Sequence, residues 1–223
     1  MTSGSGAAAG AWPARRFSQA ISEGDGISIM PVLGGDVTAM ARSVEAGGAE
    51  AIVVEQVEHV GLVRGATGLP ILVRCAEQER GALERARELG ADAFSLVCDA
   101  EGGGIDGVAA LIGVARAVGL DCALEVRTES ELAEVMELLD PEIVVLSDRD
   151  PLKAEADPDR MLRLLPDVPA GKLVVSTGPV ETREHVLALE DAGVDALIVE
   201  FATGSAGADT AVAELVGDSG PLR

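Results

Sequence analysis

Short apolar runs alternate with longer segments of mixed polarity along the chain. Four of these runs share one phrase, in which a helix-like stretch ends, an acidic residue follows, and apolar residues come next. The four phrases occupy residues 47–54, 90–97, 140–146 and 193–199. Four more apolar runs lie between them, at residues 27–32, 70–73, 122–126 and 173–176. The pattern predicts eight strands that alternate with helices at a spacing of roughly 25 residues.

This repeat predicts an α/β fold, a (βα)8 TIM barrel. The length agrees, because barrels of this kind need roughly 200 to 250 residues and the chain has 223. We expect one domain over residues 13–223, preceded by a flexible tail over residues 1–12. Chemistry in such barrels lies at the carboxyl ends of the strands, so candidate functional residues are expected there.

Capping residues predict where several helices begin. Asp36 is suited to cap a helix over residues 37–46, and Thr128 with Glu131 three residues later forms the pattern of a capping box. Thr182 begins a helix that ends near Gly193. Residues 56–68 carry only a weak helical pattern, and residues 14–22 predict a short leading helix that covers the barrel floor.

Composition and charge narrow the classes of function. The net charge of −21 argues against a nucleic-acid partner, since binding to phosphate backbones requires clustered Lys and Arg. No apolar run approaches the roughly 18 residues that indicate a membrane span. We therefore expect a cytoplasmic protein whose partner is a small molecule.

Metal and cofactor sites are not expected. The three cysteines at positions 75, 98 and 122 fit neither a disulfide framework nor a zinc spacing. His59 and His185 are far apart and lack Cys or carboxylate partners at ligand spacing.

Small residues follow the seventh and eighth strands, where phosphate-binding barrels usually hold their anion. Backbone N–H groups approach an anion closely only where side chains are small. The candidates for anion binding are Ser176, Thr177 and Gly178 after strand 7, and Thr203, Gly204 and Ser205 after strand 8. Glu200 counts against the site, because a carboxylate repels phosphate unless a cation neutralises it. The alternative is that these are ordinary loops, which carry Gly and Ser in any barrel.

Charged residues at the ends of strands 3, 5 and 6 are candidates for chemistry. Glu125 interrupts an apolar strand, and a buried Glu is costly without a partner. It is therefore predicted to act as an acid or base, or to form a salt bridge with Arg74 or Arg149. The two arginines are candidates to hold an anionic substrate, and Ser147 ends strand 6 beside them.

Phrases over residues 68–199 occur in an order and spacing found in one enzyme family. They are Leu-Pro-Ile-Leu at 69–72, Ala-Arg-Glu-Leu-Gly-Ala-Asp-Ala at 86–93, Leu-Glu-Val-Arg at 124–127, Glu-Ser-Glu-Leu at 129–132, Ser-Asp-Arg-Asp-Pro-Leu-Lys at 147–153, Leu-Leu-Pro at 164–166, Val-Val-Ser at 174–176, Thr-Arg-Glu at 182–184 and Ala-Gly-Val-Asp-Ala at 192–196. On these phrases the chain resembles indole-3-glycerol-phosphate synthase, a ribulose-phosphate-binding barrel.

The resemblance implies an enzyme of tryptophan biosynthesis. The family decarboxylates a carboxyphenylamino-deoxyribulose phosphate and closes it into an indole ring, with a Lys after strand 3 as general acid and a Glu in strand 5 as general base. Glu125 stands at the Glu position, but Arg74 stands at the Lys position. An Arg side chain does not readily give up a proton, because its pKa lies above about 12.

Other chemical positions of the family are also replaced. Its Asn-Asn-Arg-Asn after strand 6 reads Ser-Asp-Arg-Asp at 147–150, which keeps only Arg149. Its Ser-Glu-Ser-Gly after strand 7 reads Ser-Thr-Gly-Pro at 176–179, and its Gly-Glu-Ser after strand 8 reads Glu-Phe-Ala at 200–202. The Glu-x-Lys of its first strand reads Ser-Ile-Met at 28–30.

Two functions follow from these observations. The first is a carboxy-lyase with altered chemistry that binds a small anionic or phosphorylated molecule and uses Glu125, Arg74 and Arg149. The second is a non-catalytic paralogue that acts as a ligand-binding protein or as the partner subunit of another protein. The first predicts that these three residues converge on an open pocket with the loops at Gly178 and Gly204. The second predicts an exposed apolar patch on the outer helices.

Overall fold

The computed structural model describes residues 17–23, 26–98, 104–147, 158–201 and 207–217. Its eight strands are β1 Ser28–Pro31, β2 Ile52–Val54, β3 Ile71–Val73, β4 Ala93–Val97, β5 Asp121–Val126, β6 Ile143–Ser147, β7 Leu173–Thr177 and β8 Ala196–Val199. All are parallel and lie in the order β1-β8-β7-β6-β5-β4-β3-β2. The sequential order is that of a barrel.

The ring closes between β1 and β2. Val32, directly after β1, forms a parallel bridge with Val53 of β2, and the Leu33 N–H donates to the Val53 carbonyl at 2.9 Å. On the other side, the Val32 N–H donates to the carbonyl of Val199 at 2.9 Å. The predicted (βα)8 barrel is confirmed.

Helices follow the strands and cover the outside of the barrel. They are α1 Phe17–Ser22, α2 Val37–Ala46, α3 His59–Arg64, α4 Arg80–Leu89, α5 Gly104–Val118, α6 Glu129–Leu138, α7 Pro158–Leu164, α8 Arg183–Asp191 and α9 Ala208–Val216, with a 3-10 turn at Leu165–Asp167. In the described ranges, no helix is long and apolar enough to cross a membrane. The predicted tail over residues 1–12 lies outside those ranges.

The predicted caps are confirmed. The carboxylate of Asp36 accepts a hydrogen bond from the Ala39 N–H at 3.1 Å. Thr128 accepts one from the Glu131 N–H at 3.2 Å, and Thr182 caps α8 in the same way. The Glu131 carboxylate accepts from the Arg127 N–H rather than from the N–H of Thr128 itself. These bonds satisfy N–H groups that the first turn of a helix leaves without intrahelical partners.

Strand alternation divides the apolar residues into two cores. Inward residues such as Met30, Leu72 and Val175 form one cluster inside the barrel, while the intervening residues pack under the helices. Phe17 and Ile21 of α1 belong to the inner cluster. They fill the barrel at its amino end. Polar inward residues lie at the opposite, carboxyl end.

Two hydrogen bonds hold α1 at this floor. The Ser18 N–H and hydroxyl both donate to the carboxylate of Asp121, the first residue of β5, at 3.0 and 3.1 Å. The leading helix predicted over residues 14–22 is thus present from Phe17 onward and covers the floor as expected.

In two of the repeated phrases, the acidic residue forms a hydrogen bond to the backbone of the preceding strand. Asp92 accepts a hydrogen bond from the N–H of Ile71, where β3 begins, at 2.9 Å. Asp195 does the same for the N–H of Val174 in β7 at 2.7 Å. Each carboxylate therefore ties the start of its own strand to the strand before it.

Replacing Asp195 with alanine is expected to lower the free energy of unfolding by about 1–3 kcal/mol, because it leaves the Val174 N–H without its acceptor. Asp191, which is exposed at the end of α8, provides the matched control, and its replacement by alanine should stay within about 0.5 kcal/mol. Urea denaturation measures both. Equal losses in the two variants would contradict this role for Asp195.

Candidate active site

Four polar side chains of the barrel mouth lie at or near the carboxyl ends of β3, β5, β6 and β7. Inward positions near the carboxyl ends carry Arg74 directly after β3, Glu125 in β5, Ser147 at the end of β6 and Thr177 at the end of β7. The Arg74 N–H donates to the Val54 carbonyl at 2.9 Å, which extends the sheet to this residue. Strand register thus places these four side chains along one arc of the rim.

Arg74 and Glu125 form a two-point ion pair. The Arg74 Nε lies 2.9 Å from Glu125 Oε2, and its Nη2 lies 3.1 Å from Oε1. The side chains are only 16% and 6% exposed, respectively. This parallel geometry is the strongest form of an Arg–carboxylate contact. Of the two interpretations of Glu125, the structure shows the salt bridge with Arg74.

The pair fixes the charge of both groups. Burial by itself would raise the pKa of Glu125, but the hydrogen bonds and charge of Arg74, together with Arg127 and Ser147, outweigh it and lower the pKa below its ordinary value. Burial would lower the pKa of Arg74, but bonding to Glu125 and the charges of Glu125, Glu55 and Glu200 raise it instead. Near neutral pH, Glu125 is therefore an ionised, weakly basic carboxylate, and Arg74 is a fixed cation.

Hydroxyl groups continue the polar arc beyond the ion pair. Ser147 hydrogen-bonds to the Glu125 side chain, and the Thr177 hydroxyl donates to Ser147 Oγ at 3.5 Å. Ser147 and Thr177 are buried. These contacts orient Glu125 from the side opposite Arg74, and they hold the carboxylate in place.

Ser176, Thr177 and Gly178 also border a space on the outer side of β7. They line an apolar cavity of about 330 Å³ between α7 and α8, together with Met161, Val180 and Leu189. Val175 belongs to the inner core and Val174 to the outer one, so alternation turns Ser176 toward the helices. The sequence analysis grouped Ser176 with Thr177 as mouth residues, whereas the structure places them on opposite faces of β7.

The remaining predicted site residues are Arg149, Thr203, Gly204 and Ser205. All four lie outside the described residues, and their part in the site stays a prediction.

A second cavity, which is polar, lies beside the mouth. It has a volume of about 390 Å³ and is lined by residues that follow β5 and by residues of α7: Arg127, Thr128, Glu129, Ser130, Arg163 and Leu164. Arg127 directly follows β5, two residues after Glu125. Arg163 was not predicted, because no sequence signal shows that α7 and the start of α6 line the same cavity.

Ser95 is another inward residue that the sequence analysis missed. It lies in β4, paired in register with Ala123 of β5, and is 1% exposed. Its hydroxyl is the buried side-chain oxygen that lacks a hydrogen-bond partner within the described part of the chain. Strand alternation from Ala93 could have placed it inside the barrel.

Metal ligands do not cluster in the described ranges, where no group of three or more His, Cys, Asp or Glu side chains could hold an ion. The described cysteines are free thiols. Burial raises the pKa of Cys75 to about 11, so at neutral pH this thiol, which directly follows Arg74, is protonated and a poor nucleophile.

The family model of indole-3-glycerol phosphate synthase matches residues 34–215. The chain belongs to this family. An indole-3-glycerol phosphate synthase 2 of Streptomyces coelicolor is 30% identical over 212 residues, covering 86% of this chain and 81% of the relative. An indole-3-glycerol phosphate synthase of a Geobacillus species is 28% identical over 169 residues, covering 72% of this chain and 65% of the relative.

Solved structures show the same barrel. The N-acetylmannosamine-6-phosphate 2-epimerase of Clostridium perfringens superposes with a TM-score of 0.67 at 18% identity, covering 80% of this chain and 88% of that one. A mutant tryptophan synthase alpha-subunit of Pyrococcus furiosus gives 0.66 at 17% identity, covering 85% and 98%. At these identities the likeness concerns the fold alone.

Membership in the indole-3-glycerol phosphate synthase family allows Arg74 and Glu125 to be compared with the acid and base that the resemblance implies. Arg74 occupies the position where the resemblance implies a proton-donating Lys, and it binds the Glu that the resemblance implies as general base. Lys172, the lysine of the described ranges, pairs with Asp140 at 2.5 Å. It directly precedes β7, at the amino end of the barrel, and so lies on the side away from Arg74 and Glu125.

Proposed function

We propose that this family member binds a small anionic molecule, a phosphate ester in the first instance, at the carboxyl end of its barrel without catalysing indole ring closure. The observation that carries this proposal is the two-point pair of Arg74 and Glu125. It supports a structural role for both residues, since each is the other's main partner.

Acid–base catalysis needs groups that exchange protons near the working pH. The pKa of Glu125 is lowered and that of Arg74 is raised, so both move away from that range. Both carboxylate oxygens of Glu125 already accept hydrogen bonds from Arg74. Abstracting a proton would require breaking a buried pair first, which adds to the barrier.

Binding remains compatible with this mouth. Family membership favours a phosphorylated ligand, and its indole-3-glycerol phosphate synthase relatives are named for a phosphate ester. The end of β7 supplies the buried hydroxyl of Thr177 and the small residue Gly178, and the predicted donors at residues 203–205 would lie beside them.

A second candidate function is that of a partner subunit. The observation that favours it is an apolar surface on the outer helices, where Leu162 of α7 and Leu187 of α8 are 48% and 46% exposed. Leu162 also lines the apolar cavity between these helices. This is the kind of surface that the paralogue interpretation predicts.

The proposed binding is tested with inorganic phosphate and ribose 5-phosphate, and with uncharged ribose as the matched control ligand. A ligand at 100 times its Kd should stabilise the folded state by about 2.7 kcal/mol, and so raise the melting temperature. Calorimetric titration supplies the Kd. We expect both phosphate compounds to bind and ribose to have no effect. If neither phosphate compound binds, the proposal is wrong.

A further inference from the structure

Charges at the barrel mouth are distributed unevenly around the ring. Glu200 directly follows β8 and Glu55 directly follows β2, and these two strands flank β1. Both carboxylates act on Arg74, whose guanidinium is already bound to Glu125. The β8–β1–β2 side of the mouth therefore carries negative charge, which disfavours an anion there.

The opposite side has the reverse character. In the strand order, β5 lies across the ring from β1, and it leads directly into Arg127. Arg127 lines the 390 Å³ cavity together with Arg163, and Glu129 is the carboxylate residue among the described residues of its lining. In a chain with 17 basic and 38 acidic residues, a cavity at the functional end whose described lining holds two arginines and one acid stands out.

Acidic groups also lie near the arginines of this cavity. Glu125 is bound at two points by Arg74, and the charge of Arg127 also helps to lower its pKa. The Glu131 carboxylate is used by the backbone N–H of Arg127. Since a guanidinium has five N–H donors, Arg163 can keep its existing contact and still bind an anion.

Hydroxyl groups complete the cavity. Thr128 and Ser130 line it, and their oxygens lie 3.3 Å apart. The Thr128 hydroxyl already accepts a hydrogen bond from the Glu131 N–H as the cap of α6. The α6 terminus is thus closed by its own side chains, and recognition of an anion depends on the two arginines.

We infer that the anionic group of the ligand is held by Arg127 and Arg163 on the β5–α7 side of the mouth. This rests on the proposed function, which requires only that an anion binds at the mouth. It assigns a new pocket, and it defines the ligand by a phosphate or carboxylate group that two guanidinium groups bind.

The test compares variants of the full chain that separate this location from the end of β7. Arg127→Met and Arg163→Met remove the proposed contacts, and Arg85→Met, on the exposed face of α4, is the control for loss of one positive charge. Gly178→Asp places a carboxylate at the end of β7. Gly113→Asp, at an exposed position of α5 with open space around it, is its control.

We expect each of the Arg127 and Arg163 variants to weaken the calorimetric Kd for inorganic phosphate and ribose 5-phosphate by about tenfold or more. The Arg85 and Gly113 variants should leave the Kd unchanged. Circular dichroism spectra and melting temperatures in the absence of ligand verify that each variant is folded. For Arg163, which is exposed, the charge reversal Arg163→Glu provides a second variant with a larger expected effect.

Other outcomes overturn the assignment. If Gly178→Asp abolishes binding while both arginine variants bind normally, the anion is held after β7, and only this inference fails. Equal weakening by Arg85→Met would show that overall charge, not a pocket, determines affinity, and it also overturns the assignment. Absence of phosphate binding to the unmodified protein defeats the proposed function itself, which distinguishes the two failures.

Discussion

Replacing Arg74 with methionine is expected to lower the free energy of unfolding by about 3–5 kcal/mol, which is the usual cost of removing one partner of a buried ion pair. Glu125 would keep its buried position while losing the two hydrogen bonds that compensate for its burial. Because Arg74 is 16% exposed, water can replace part of the lost contact, so the lower end of the range is favoured. Denaturant unfolding at neutral pH measures the loss.

A double variant separates the loss of the pair from a loss of packing. Arg74→Met combined with Glu125→Leu removes both charges, and apolar replacements of a buried pair are often neutral or stabilising. We expect the double variant to recover most of the stability that Arg74→Met loses. If it were as unstable as the single variant, the unpaired carboxylate would not be the cause.

The pH dependence of the loss gives an independent check. In the unmodified protein the pKa of Glu125 is lowered below 4.5, so its contribution to stability is present above pH 4.5 and declines as the pH falls through the folded-state pKa. Without Arg74, burial dominates and raises the pKa of Glu125 in the folded state. The carboxylate then costs stability as the pH rises above 4.5. The difference between the two proteins should therefore shrink as the pH is lowered.

The second large effect concerns turnover. With carboxyphenylamino-deoxyribulose phosphate as substrate, the protein is expected to form indole product at least about 10²- to 10⁴-fold more slowly than its Streptomyces coelicolor relative, measured in parallel. That range is the typical contribution of one general acid or base, and here both groups are bound to each other. Indole fluorescence measures the rate, and complementation of a tryptophan auxotroph tests the same activity in cells.

One result would contradict the predicted slow turnover. Turnover comparable to that of the relative, abolished by Glu125→Gln, would disprove the non-catalytic proposal and support the carboxy-lyase interpretation. A melting-temperature measurement on the Glu125→Gln protein ensures that loss of activity does not merely reflect unfolding.

Much of the fold could be predicted from local signals. The bounds of α2 agree with those expected from the sequence, because the capping residue Asp36 marks where the helix begins. α3 was only weakly indicated, since its six residues are too few to establish a helical period. Tertiary packing of Val60 and Val63, both fully buried, stabilises it instead.

The candidate site was predictable only where strand register determines it. Arg74 and Glu125 lie on inward positions near strand ends, and their opposite charges favoured the contact that the structure shows. Ser176 was predicted as a mouth residue because it is one of the small residues at the end of strand 7, although consecutive residues of a strand point to opposite faces. Arg163 and the residues that follow β5 line one cavity although they are distant in sequence, and no local sequence pattern predicts this.

The helix at the barrel floor has a consequence for how molecules reach the site. Phe17 and Ile21 close the amino end of an interior that inward side chains of the strands already fill, so no channel runs through the barrel. A ligand that binds at the mouth must therefore enter and leave on the same side of the barrel. It must dissociate before a second ligand can bind in its place. Two ligands that contact different parts of the rim would therefore still compete with each other if both extend over the barrel mouth.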